Sequence, residues 1–259
     1  QLNNLADMKI HEDVLPELRQ LSRSFNQMLD RLNSAFVTQQ QFTGNAAHEL
    51  RTPLALMQAQ LELFSAEHPN VLPETAEFLR LLQEQTERLT QMTKTLLEMS
   101  SLQQVARKES VQLGPMVEEI FTDLAPLAEK SGITLQKTGD GTLIGSDTLI
   151  YRLLFNLTEN AIKYNRPGGR VDICIQSRPD HLQIRISDTG YGIPAEFHRS
   201  IFHPFFRVDK SRSRAYGGVG LGLSLVWEIA NLHGGSVWVE GSSPQGTTVA
   251  VQLPVQSAI

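Results

Sequence analysis

The chain has 259 residues with a formal charge of -5, one cysteine and about one residue in five charged, and its pI lies near 5.8. That is enough chain for one or two domains with real cores, and the acidic balance argues against a dedicated nucleic-acid binder, which would carry a basic stripe. A single Cys174 excludes an intrachain disulfide framework and reads as a small core residue within VDICIQ, and no stretch approaches the roughly 20 apolar residues that cross a bilayer. Gln1 is not a natural start, so the sequence reads as a fragment of a longer chain, and the absence of a membrane segment here does not make the parent protein soluble.

In chain order, Leu18, Leu21, Phe25, Met28, Leu32 and Ala35 repeat at three-and-four spacing, the seam of a long amphipathic helix. The stripe runs on without a stop signal into QFTGNAAHELRTPLAL, where His48, Arg51 and Thr52 share one helix face. Pro53 has no amide hydrogen and its ring crowds the carbonyl of Glu49, so a bend or loosening is expected beside His48. His48 and Glu49 open the pattern of a zinc protease helix, H-E-x-x-H, but position 52 is Thr, so the second ligand is missing.

Pro69 and Pro73 bracket a short loop, and from Glu74 a second helix carries Phe78, Leu82, Gln85, Leu89, Met92, Leu96 and Met99 in heptad register. Two such helices form an antiparallel hairpin. One hairpin cannot bury both seams, which points to a homodimer closing a four-helix bundle, with a globular partner domain covering the seam as the competing explanation. Residues 104–112 are polar and read as a linker.

From residue 113 the pattern changes. Helices are expected near 113–130 and from Asp147 to Tyr164, strands at VDICIQS and LQIRIS, a helix after Gly222, and a closing hairpin of SVWVE and TTVAVQL. This is a mixed α/β domain with helices on one sheet face; the order is not a βαβ repeat.

Four motifs in this domain are candidates for chemistry. In NLTENAIKY, Asn156, Asn160 and Lys163 share a helix face; amide oxygens suit a hard cation such as Mg²⁺, and a nearby ammonium suits phosphate, although a polar helix face is often simply the solvated one. SDTGYGIP places Asp188 at a strand end, where a carboxylate can accept from an exocyclic amine, with Gly190 and Gly192 permitting close backbone approach. IFHPFFRVD gathers Phe202, Phe205 and Phe206 around Arg207 and reads as mainly structural. GGVGLGL sets Gly218, Gly220 and Gly222 before a helix start, where free amides suit phosphate oxygens, but it is neither a Walker loop nor a dinucleotide fingerprint.

HELRTP resembles the H-box of sensor histidine kinases, and the four later motifs, in this order, resemble the N, G1, F and G2 boxes of their ATPase domain, which shares the gyrase, Hsp90 and MutL nucleotide-binding fold. LPELRQLSRSFNQMLDRLN is similar to the second helix of a HAMP linker. The resemblance implies a multidomain protein: a HAMP-like helix over 1–37, a phosphotransfer hairpin over 38–103 and an α/β sandwich of the Bergerat (GHKL) type over 113–259. It implies that Mg-ATP is the phosphoryl donor and His48 the acceptor, with Glu49 orienting or taking the other ring proton and Arg51 beside it. Asn160 would hold Mg²⁺, with Asn156, Lys163 and Tyr164 beside phosphates or ribose. Asp188 would meet adenine N6, Arg207 would reach the γ-phosphate, and residues 208–219 would form a lid. The phosphoryl group would pass to an aspartate of a response regulator, with Thr52 positioning water when the enzyme acts as a phosphatase. The resemblance further implies the cytoplasmic portion of a bacterial inner-membrane protein. Two rivals are an ATP-driven clamp of the same fold, which has no need of HELRTP, and a silent dimeric scaffold.

Overall fold

A computed structural model describes residues 16–69, 71–102, 105–208 and 219–255. The chain divides into two compact units, Gln1–Ser101 and Leu102–Ile259.

The first unit is a helical hairpin of α1 (Pro16–Glu67) and α2 (Pro73–Ser101). α2 begins on a proline, whose missing amide costs nothing in a first turn, and Glu74 follows in that turn. The antiparallel pairing is marked at the loop end by Gln83 Nε2 donating to Ser65 Oγ at 3.3 Å. At the other end, a β-carbon on Gly44 would stand 2.9 Å from Ser100 Oγ. Ala47 and Leu54 of α1 are buried, as are Thr86, Thr93, Thr95 and Leu97 of α2. The buried threonines stay satisfied by donating back to their own helix, Thr86 to Leu82 O at 2.8 Å and Thr95 to Gln91 O at 3.0 Å.

The bend expected at Pro53 is not a break: α1 continues as helix on both sides of it. One forfeited hydrogen bond is a small loss in a 52-residue helix whose flanking turns bury Ala47 and Leu54. The hairpin leaves a second stripe uncovered. Leu50, Met57 and Phe64, seven apart on α1, are 52%, 52% and 40% exposed, and Phe78, Leu82 and Leu89 of α2 are 59%, 37% and 48% exposed.

The second unit opens with a correction. Residues 109–112, expected within a linker, form β1 (Glu109–Gln112), antiparallel to β3 (Thr142–Gly145) with Val111 opposite Leu143. Between them lie α3 (Leu113–Ser131) and β2 (Thr134–Thr138). Then come α4 (Asp147–Lys163), β4 (Arg170–Ser177), β5 (His181–Asp188), two short 3₁₀ turns, α5 (Gly222–Leu232), β6 (Ser236–Ser243) and β7 (Gly246–Pro254).

The main sheet has the order β2-β4-β5-β7-β6, with β2 parallel to β4 and the other pairs antiparallel. Period-two alternation puts Val171, Ile173 and Ile175 of β4 and Leu182, Ile184 and Ile186 of β5 on one buried face. Helices α3, α4 and α5 contribute Ile120, Leu153, Leu154 and Ile229 to the same core. Buried His233 ties two parts of this unit together: its Nδ1 donates to Ile229 O at 2.8 Å while Nε2 accepts from Ser146 N at 3.1 Å. Burial pushes its pKa down, which keeps the ring neutral with one donor and one acceptor.

Candidate nucleotide site and phosphoacceptor helix

Helix α4 is capped by Ser146, whose side chain accepts from Leu149 N. Leu149, Ile150, Leu153, Leu154, Leu157, Ala161 and Ile162 turn into the core. The complementary face therefore carries Asn156, Asn160 and Lys163, all half-buried. Asn156 Nδ2 donates to Arg152 O at 2.8 Å, which leaves its Oδ1 directed away from its own backbone. The start of α5 meets this face: a β-carbon at Gly222 would lie 2.8 Å from Asn156 Oδ1 and 3.9 Å from Asn160 Nδ2. The N-cap residue, Leu221, makes no side-chain hydrogen bond to the α5 N-terminus, so its first amides are available on the side of this cradle.

Lys163 is not a bare cation. Its Nζ pairs with Glu159 Oε1 at 2.8 Å, a pairing of residues four apart that incoming phosphate would have to compete with. Tyr164 is the C-cap residue of α4, 39% exposed, and its carbonyl accepts from Tyr191 N at 3.3 Å.

Asp188 ends β5. Its Oδ1 accepts from Gly190 N at 2.8 Å and from Thr247 N at 3.2 Å. Burial pushes its pKa up against the lowering effect of those two amides. The glycines around it have steric reasons. A β-carbon on Gly190 would sit 2.3 Å from Tyr164 O, and Gly192 has φ +76° with Ser243 O 2.0 Å from where a β-carbon would be.

Several partners of this site were not singled out in the sequence. Asn165 is buried; it donates to Arg170 O at 2.9 Å and accepts from Thr189 Oγ1 at 3.0 Å and Arg166 N at 2.9 Å. Thr247 and Gly246 come from the far end of the chain, with the Gly246 β-carbon position 1.9 Å from Asp188 O. An asparagine just past the end of α4 and ahead of Pro-Gly-Gly was the one local signal available.

The aromatic segment is mixed. Ile201 and Phe202 are buried, and Phe197 and Phe206 have ring centroids 5.5 Å apart. Phe205, expected in a structural cluster, is 54% exposed instead and takes φ +64°, the left-handed region that side chains rarely adopt. Its amide donates to Gly220 O at 2.8 Å, and Gly220 itself has φ +81° with Arg207 Cγ 3.2 Å from its β-carbon position. Gly218 and most of the expected lid lie outside the described residues.

In the helical unit His48, Glu49, Arg51 and Thr52 are all solvent-exposed, on the turns of α1 that bury Ala47 and Leu54. Among the described residues no group of three or more His, Cys, Asp or Glu could hold a metal ion, and no helix is long and apolar enough to cross a membrane.

Residues 38–105 match the family model for the His Kinase A phospho-acceptor domain, and residues 145–257 match that for the histidine kinase-, DNA gyrase B- and HSP90-like ATPase. The chain is 37% identical over 229 residues to the sensor histidine kinase RppB of Synechocystis, covering 86% of this chain and 50% of that one. The chain belongs to the sensor histidine kinase family. It spans about half the length of the curated relatives it matches. In fold, the chain resembles full-length ShkA in complex with AMPPNP, with TM-score 0.66 and 22% identity over 84% of this chain and 46% of that one. It also resembles ThkA in complex with the response regulator TrrA, with TM-score 0.59 and 22% identity over 94% of this chain and 68% of that one.

Proposed function

We propose that this chain binds Mg-ATP in its second unit and transfers the γ-phosphoryl group to His48, from which the group passes to an aspartate of a response regulator. The observation that carries the reading is the cradle in which Asn156 and Asn160 of α4 face Gly222 at the start of α5, with a half-buried carboxylate, Asp188, in the same unit. The AMPPNP bound by ShkA and the response regulator bound by ThkA support it by analogy.

In this reading an imidazole nitrogen of His48 attacks the γ-phosphorus as the bond to the β-phosphate oxygen breaks, ADP leaves, and the other ring proton passes towards Glu49, with Arg51 alongside. Such transfer needs positioning and charge neutralisation more than covalent help. Asp188 accepts from adenine N6, and Asn156, Lys163 and Tyr164 lie beside phosphates or ribose. Arg207 reaches the γ-phosphate, while Gly218, Gly220 and Gly222 let the backbone close on it. Mg²⁺, held through the amide oxygen of Asn160 and needing phosphate oxygens for most of its shell, would neutralise charge between the phosphates. The deciding experiment is incubation with γ-labelled ATP and Mg²⁺. Label on protein that survives alkali and is lost in acid is the expected phosphoramidate; a folded chain that takes up no label, or alkali-labile label, refutes the reading.

The uncovered stripe of Leu50, Met57, Phe64, Phe78, Leu82 and Leu89 supports a homodimer, because each such side chain gains about 1.5–3 kcal/mol on full burial. Sedimentation equilibrium of the whole chain should give twice the monomer mass, with Leu50→Glu plus Met57→Glu shifting it to monomer. A wild-type monomer at micromolar concentration would exclude the dimer. Thr52, one turn beyond His48, is assigned to positioning water in a phosphatase reaction: Thr52→Ala should keep autophosphorylation and lose dephosphorylation of the regulator about 10²-fold, and equal loss of both would dismiss that role. The HAMP-like helix supports attachment to membrane segments with this portion in the cytoplasm; recovery of the full-length protein only in the soluble fraction of cells would contradict it.

A further inference from the structure

Arg166 lies two residues past the α4 C-cap and is exposed, so by itself it reads as a surface cation. Its contacts make it more specific. One guanidinium nitrogen, Nη2, donates to Pro244 O in the β6–β7 turn. The guanidinium carbon stands 5.5 Å from the centroid of the Tyr191 ring, in the loop after β5. Its own amide is held by Asn165 Oδ1 at 2.9 Å, which fixes where the side chain starts.

Arg166 thus touches the loop after β5 and the β6–β7 turn, and Asp188 is gripped by the first of these and by the strand β7 that leads directly out of the second. Gly190, next to Tyr191, supplies one amide to Asp188 Oδ1. Thr247, three residues beyond Pro244, supplies the other. We infer that Arg166 is a positioning residue for nucleotide recognition: it straps these loops together and so keeps the Asp188 carboxylate aimed at the base. The inference rests on the reading of Asp188 as the acceptor for the adenine amine. With both amides in register, Oδ1 is saturated and Oδ2 is the oxygen left to meet a ligand. Releasing the strap lets the two amides drift apart, and the carboxylate turns with them.

The test is base selectivity, which a merely structural surface residue would not move. The whole chain is titrated with Mg-ATP and with Mg-ITP, whose base carries a keto oxygen in place of the amine and so meets the carboxylate with repulsion. Wild type should favour ATP. Arg166→Ala should weaken ATP about two- to fivefold, the worth of an exposed cation–π contact, while leaving ITP unchanged or tighter, so that discrimination falls. Tyr191→Ala should behave the same way and Tyr191→Phe, which keeps the ring, should retain discrimination. If Arg166→Ala does not fold, the Tyr191 pair decides alone. An unchanged ATP-to-ITP ratio in Arg166→Ala and Tyr191→Ala, or equal loss of both nucleotides, overturns the inference. A wild-type chain that binds neither nucleotide, or does not distinguish them, overturns the Asp188 reading itself, and does so before any variant is compared.

Discussion

Replacing His48 by Ala is expected to abolish incorporation of label from γ-labelled ATP while leaving the chain folded and able to bind nucleotide. His48 is solvent-exposed on α1, so the side chain buries little that folding depends on, and Ala is the better helix former. The groups proposed to hold the nucleotide, by contrast, sit in the other compact unit. The substitution therefore separates acceptor from donor. Loss should be complete, because no remaining side chain supplies the phosphoramidate nitrogen, whereas Glu49→Gln should reduce the rate by about 10²–10⁴, the usual worth of a general acid or base. The measurement is acid-labile label per chain, with nucleotide affinity and helix content measured on the same samples. A His48→Ala chain labelled as readily as the parent would end the assignment.

Asp188→Asn should have the second-largest effect, with opposite signs on binding and stability. The carboxylate is half-buried and its partial desolvation raises its pKa, so in the folded chain the charged form is penalised despite two amide donors. An asparagine can still accept from Gly190 N and Thr247 N through its oxygen, but its amide nitrogen then faces the adenine amine, donor against donor. Hydrogen bonds to charged groups are worth about 1.5–3 kcal/mol, so ATP affinity should fall about 10- to 150-fold. Stability without nucleotide should be kept or raised. Because a raised carboxylate pKa means that folding stability is lost as pH rises through the folded value, the variant's advantage should be present at about pH 8 and absent at about pH 3.5, where wild type is already protonated. Thermal unfolding at the two pH values checks this. A variant destabilised at both, with ATP binding intact, would mean that Asp188 serves the fold and not the ligand.

Much of this molecule can be read locally. The hairpin, α4, α5 and strands β4 to β7 follow from three-and-four or period-two spacing over stretches long enough to count. β1, β2 and β3 were not legible for a physical reason. They are four or five residues long, and ESVQ and TLQKT contain few apolar side chains because both strands are largely exposed. Their pairing, not their composition, makes them strands. The same limit applied to Pro53, where a local rule predicted a weak point and packing on either side of it prevailed.

By itself the sequence determined that His48 shares a helix face with Arg51 and Thr52, that Asn156, Asn160 and Lys163 share another, and that α1 and α2 each carry more apolar surface than one neighbour can cover. Those are consequences of helical period, which needs only nearby residues. Only the tertiary structure decided which stripe the hairpin buries, and that Asp188 is gripped both from the loop after β5 and from the start of β7. The Thr247 amide that holds it is 59 positions away in the chain. No periodicity reaches that far: such a contact exists only after β5 and β7 have paired and the turn before β7 has closed over the end of β5.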